Sequence, residues 1–188
     1  MNWLQKLTEI AEAPMLPRYT GSAESWLDIE TNLGIELPKD FKELIRTYGA
    51  GRFADFFAPM NPFYDSKRPG ARPYLEWVRA RLTGLAAAQR EFPEFHAPFP
   101  IFPAHPGLLP WGFTDNGDTL SWLTDPPNNS QKWPIICLDD KSSQNFDRFD
   151  FGLLEFLVRW FSNELQVPSV TPPDMFPLPH PVFRPYDF

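Results

Sequence analysis

Five aspartates, Asp115, Asp118, Asp125, Asp139 and Asp140, fall within a short reach of one another, and their spacing admits three kinds of chemistry. Carboxylates at alternate positions hold calcium, a pair with separated pKa values does acid/base work, and carboxylates beside an Asn-Gly pair close a hairpin. A calcium loop takes about twelve residues and ends on a bidentate Glu. In WGFTDNGDTLSWLTD, Trp111 to Asp125, Gly117 comes too early and no Glu follows. An acid/base pair needs one carboxyl desolvated, and an exposed tip at Asp115 and Asp118 offers nothing to do so. The carboxylates read as part of a turn.

That turn predicts a hairpin. Asn116-Gly117 suits the positive φ angles of a type I′ turn, which would set Asp115 opposite Asp118, Phe113 opposite Leu120 and Trp111 opposite Trp122. Four large apolar side chains would then share one face, with Gly112, Thr114, Thr119 and Ser121 on the other.

The remaining reactive side chains make no constellation. The single cysteine, Cys137, sits inside the apolar run WPIICL and reads as a core residue with no base beside it. His96 and His105 lie in a proline-dense, non-helical segment and His180 in the tail, so no ligand pair or nucleophile–base set emerges. No catalytic residue, metal or cofactor is expected, and a hydrolase is disfavoured.

Composition narrows the partners. The chain has 188 residues, 23 of them proline, with 16% aromatic residues and a net charge of −7. Residues 96–188 hold eleven acids against five bases, whereas residues 1–95 are near balance. That half repels nucleic acid and suits a cationic partner. No apolar stretch is long enough for a bilayer and the start lacks a secretion-signal layout, so a soluble cytoplasmic protein without membrane contact is expected.

The elements that must position these residues follow from periodicity and caps. Residues 2–12 predict a helix, Ser22 to Leu33 a second one stopped by Gly34, and Pro38 to Tyr48 a third closed by Gly49. Gly51 to Arg72 predicts a short strand and an ordered loop, and Pro73 to about Arg90 a helix. Phe92 to Pro110 is too rich in proline for a central strand or helix and should run extended. Asp125 to Lys132 is a loop, Trp133 to Leu138 a strand buried on both faces, and Phe146 to Phe149 a short strand. Asp150 should cap a long, buried closing helix, FGLLEFLVRWFSNEL. Residues 166–188, with seven prolines and interleaved aromatics, should lie extended on the domain or dock on a partner subunit. The basic stretch 67–90 reads as a solvated helix flank rather than a binding site.

The order of three segments resembles a known family. Trp26-Leu-Asp-Ile-Glu with LGIELPKDFKELIRTYGAG (Leu33 to Gly51), then WGFTDNGDTLSWLTD, then DFGLLEFLVRWF are similar to the signatures of the SUKH superfamily. That superfamily comprises immunity proteins of bacterial toxin systems and fungal cell-wall synthesis regulators. The resemblance implies an α+β domain over residues 1–165, with N-terminal helices and a long C-terminal helix packed on a central antiparallel sheet. The stretch Phe53 to Pro110, with its helix near 73–90, and the tail 166–188 depart from the family pattern. It further implies a non-catalytic binding protein whose partner is a cognate protein toxin, often a nuclease. Asp115, Asp118, Asp125, Asp139 and Asp140 are the candidate contacts. A regulatory scaffold using the same domain and the Pro-rich tail is the second reading, and the oligomeric state stays open.

Overall fold

The computed structural model describes residues 2–64, 74–93, 98–139, 145–171 and 181–186. Among them run five helices and seven strands. The helices are α1 (Trp3–Ile10), α2 (Ala23–Leu33), α3 (Lys39–Tyr48), α4 (Tyr74–Glu91) and α5 (Leu153–Phe161). The strands are β1 (Gly51–Phe53), β2 (Phe57–Pro59), β3 (Leu108–Thr114), β4 (Thr119–Leu123), β5 (Ile135–Leu138), β6 (Phe146–Phe149) and β7 (Phe183–Pro185). The strands form one antiparallel sheet in the order β6-β5-β4-β3-β2-β1-β7, so the architecture is α+β, as the family resemblance implies.

The first three helices begin and end where their caps dictate. The Ser22 hydroxyl accepts the Ser25 N–H and the Ser25 hydroxyl answers on the Ser22 N–H, a reciprocal cap. Gly34 turns left-handed at φ +72, and the Gly34 and Ile35 N–H groups fold back onto the Glu30 carbonyl. At Gly49, also φ +72, a Cβ would come within 2.1 Å of the Arg18 carbonyl oxygen, so no larger residue fits.

One face of the sheet is buried under α1, α3 and α5. Trp111, Trp122, Leu120, Ile135, Cys137, Phe53 and Phe57 point there and meet Phe41, Tyr48, Phe156, Trp160 and Phe161. Stacked and edge-on rings at centroid distances near 5–6 Å dominate this core. The opposite face carries a smaller apolar cluster, Leu108, Leu123, Ile136 and Leu138, covered by Phe99, Ile101 and Phe146. Further along that face α4 packs on β3, with Trp77 against Phe113 at 6.1 Å. Strand β5 is buried on both faces, as its continuous apolar sequence requires.

Four expectations change. The proline-rich connection does not exclude a central strand: β3 starts at Leu108 and includes Pro110. A register irregularity between Pro110 and Gly112 accommodates the missing N–H. The segment after α3 holds two strands, joined through Ala54, Asp55 and Phe56. The closing helix is not long. Asn163 adopts φ +59, and the N–H groups of Glu164 and Leu165 return to the Arg159 carbonyl, which ends α5 at Phe161. Its N-terminal acceptor is not Asp150, which pairs with Arg148, but Asp40 of α3, whose carboxylate accepts the Leu153 N–H at 2.6 Å. Burial pushes Asp40 above the ordinary carboxylate range, opposed by the backbone N–H bonds it accepts.

Residues 183–185 of the tail close the sheet edge as β7, paired with β1. Among the described residues no helix is long and apolar enough to cross a membrane.

Candidate functional site

The β3–β4 turn differs in kind from the expected one. The Gly117 N–H donates to the Thr114 carbonyl at 3.0 Å and the Thr114 N–H to the Asp118 carbonyl at 3.2 Å. Gly117 alone has positive φ, at +92, while Asn116 does not. The loop is therefore Asp115-Asn116-Gly117, a tight turn followed by a left-handed glycine, in place of a two-residue type I′ turn. The register moves accordingly: Phe113 lies opposite Thr119, Gly112 opposite Leu120 and Leu109 opposite Trp122. Trp111, the extra residue at the irregularity, still reaches the helical face and stacks on Trp122 at 5.8 Å. Phe113 goes to the other face, beneath Trp77.

Three of the five aspartates gather at this end of the sheet, because Thr119 pairs with Leu138 and so sets Asp139 beside the turn. Asp115 is exposed and holds the Arg52 guanidinium of β1 at 2.9 Å. Asp118 is only 5% exposed, and its carboxylate accepts the Thr114 hydroxyl at 2.6 Å. It fixes the turn from inside. Asp139 is half-buried, with its carboxylate accepting the Asn145 side-chain amide at 3.2 Å. Asp125 is exposed but follows the far end of β4, a strand length away. Asp140, His96 and His180 lie outside the described residues.

Residues that the sequence does not announce hold this end together. Arg81 of α4 donates through Nη2 to the Gly117 carbonyl at 3.1 Å and through both Nε and Nη2 to the Thr119 hydroxyl. It thus fastens the helix to the turn, whereas Arg79 and Arg90 of the same helix face solvent. Arg52 also lies 5.8 Å from the Tyr186 ring, which in turn packs on Tyr64. Burial raises the Tyr186 hydroxyl pKa, with Arg52 pulling the other way. None of these partners is near in sequence, so spacing carries no signal for them.

The other reactive groups stay apart. Cys137 is fully buried, and burial, reinforced by the charges of Asp147 and Asp118, pushes its thiol well above the ordinary range. His105 contacts the Thr124 hydroxyl at 3.1 Å through Nδ1, at the opposite end from the turn. Among the described residues no group of three or more His, Cys, Asp or Glu side chains is placed to hold a metal ion.

The arrangement is that of an α+β domain: a sheet covered by α1, α3 and α5 on one face and by α4 on part of the other, with a charged turn at one end. A family model described as SMI1-KNR4 cell-wall, SUKH_6, matches residues 23–157, and the chain belongs to that family. The SUKH domain family includes toxin-immunity proteins and is generally non-catalytic. No curated protein and no solved structure matches the chain.

Proposed function

We propose that this chain is an immunity protein that neutralises a cognate bacterial toxin by binding it directly, with residues 1–165 as the binding unit. Membership of a family that includes toxin-immunity proteins carries this reading. Charge supports it: eleven acids against five bases after residue 95 suit a toxin surface built to hold nucleic acid, as in a nuclease. Asp115 and Asp139 at the turn end, with Asp140 and Asp125, are the proposed contacts. Asp118, buried on Thr114, acts by holding the turn in place. Rim charges of this kind steer encounter more than they add affinity, so neutralising them should slow association and weaken its salt dependence.

The test is co-expression with the toxin encoded beside this gene. Rescue of growth, and its loss when the toxin is replaced by an unrelated one, is the expected result. Killing that proceeds unchanged while this protein accumulates in soluble form would remove the immunity reading and leave a regulatory scaffold in its place.

A further inference from the structure

The C-terminal strand sits in a slot shaped for it. The Tyr186 N–H donates to the Ala50 carbonyl at 3.1 Å, and the Ala54 N–H donates to the Val182 carbonyl at 3.0 Å. Between these bonds Arg184 lies opposite Arg52, where the antiparallel phase places a reciprocal backbone pair. Phe183 is only 6% exposed and enters a recess between Tyr48 and Phe53, with ring centroids 5.0 and 4.8 Å away. The floor of that recess is Gly51. A Cβ there would come within 2.4 Å of both the Phe183 ring and the Arg184 carbonyl oxygen. Bare backbone on β1 is what admits the incoming strand.

Two further observations set β7 apart from the rest of the sheet. The family match ends at residue 157, so the sheet partner of β1 comes from beyond the matched region. The occupant is also thinly held. Val182, Arg184 and Pro185 are exposed, and the Arg184 pairing with Asp55 is a surface one. Phe183, Tyr186, the buried Pro181 and a few backbone bonds do the anchoring.

We infer that the β1 edge is a peptide-binding site whose resident occupant is the chain's own residues 181–186. In trans it accepts an extended segment of a partner protein with an aromatic residue flanked by prolines two positions away on either side. Recognition follows strand addition: main-chain bonds to Ala50, Arg52 and Ala54 align the peptide, the Tyr48–Phe53 recess selects the aromatic, and Asp55 and Arg52 meet a basic residue and a tyrosine. The flanking prolines keep the peptide extended and limit the strand to a short length. The resident strand competes at high effective concentration, so the site is regulated by whatever draws the tail away. This inference needs no toxin and is tested without one, although Arg52, which bonds Asp115 and faces the Tyr186 ring, borders both regions.

The experiment uses the full chain and a fluorescein-labelled hexapeptide of residues 181–186, followed by anisotropy. Phe183→Ala empties the recess, and Arg184→Pro, as a second route, removes the central backbone donor while leaving Phe183 intact. Both variants are first checked for a cooperative melt. Each should bind the peptide roughly tenfold or more tighter than the unaltered chain, whose own strand competes. The same peptide carrying alanine in place of its phenylalanine should not bind. If neither folded variant distinguishes the two peptides, or if the unaltered chain binds as tightly as the variants, the β1 edge is not the site.

Discussion

The sheet contains two tight hairpins whose turns are the reverse of what their sequences advertise. At the β3–β4 turn the dipeptide Asn116-Gly117 is the preferred type I′ pair, yet only Gly117 takes positive φ. At the β1–β2 turn the central residues are Ala54 and Asp55, both at φ +53, with the Phe56 N–H on the Phe53 carbonyl at 3.0 Å. This second turn is the one whose two central residues both take the positive φ that a type I′ turn requires. An L-residue in the left-handed region costs about 1–2 kcal/mol. Burying a phenylalanine side chain contributes about 1.5–3 kcal/mol. Phe53, Phe56 and Phe57 are all buried, at 0%, 5% and 1% exposure. Three buried rings outweigh two strained residues. Turn type here is set by what the flanking strands must bury, and the dipeptide yields.

If burial governs the β1–β2 turn, removing it should have the largest effect. Phe57 lies among Trp111, Trp160 and Phe161 and presses on Gly112, so Phe57→Ala should destabilise the protein by about 3–5 kcal/mol and lower Tm by roughly 10 °C. Urea unfolding checks this. A loss below about 1 kcal/mol would mean the turn is held by its own conformation.

The β3–β4 turn offers a sharper contrast. Gly117→Ala places a Cβ at φ +92 and should cost about 1–2 kcal/mol, whereas Asn116→Ala should cost less than about 0.5 kcal/mol. A true type I′ turn would make both positions sensitive. Equal losses would therefore restore the two-residue turn and the register that goes with it.

These contrasts also mark where the sequence could be read. Helices α2 and α3 were legible because their ends carry chemistry that acts locally: Ser22 and Ser25, Gly34, Pro38 and Gly49. Strand β5 was legible because it is apolar at every position. The existence of the β3–β4 hairpin was legible, but its register was not. One extra residue at Trp111 carries Phe113 to the opposite face, and nothing local marks where a strand takes up a bulge. The Ala54-Asp55 turn gave no signal at all, because its conformation follows from where the finished core buries the adjacent Phe53, Phe56 and Phe57. The same holds for the turn end as a candidate site. Five aspartates are visible in the sequence, but Arg52 on Asp115 and Arg81 on Gly117 and Thr119 arise from pairings across many residues, and the local Thr114 bond to Asp118 forms only once the turn has its three-residue loop. Apolar periodicity reports a face, while polar fastening depends on the finished fold.

A small expected effect is the one whose sign discriminates best. Ala54→Gly removes the steric penalty of positive φ at the first turn position, and the backbone N–H that bonds the Val182 carbonyl is kept. Against a relief of about 1–2 kcal/mol stands the extra unfolded-state entropy of glycine, about 0.5–1 kcal/mol, so the net gain should be about 0.5 kcal/mol. Asp55→Gly is a poorer probe, because it also deletes the partner of Arg184 on β7. A stabilising Ala54→Gly would show that the hairpin carries strain in its turn and is held by Phe53, Phe56 and Phe57. A destabilising one would mean that the left-handed geometry at Ala54 is not strained, and that burial of the flanking rings is not needed to hold it.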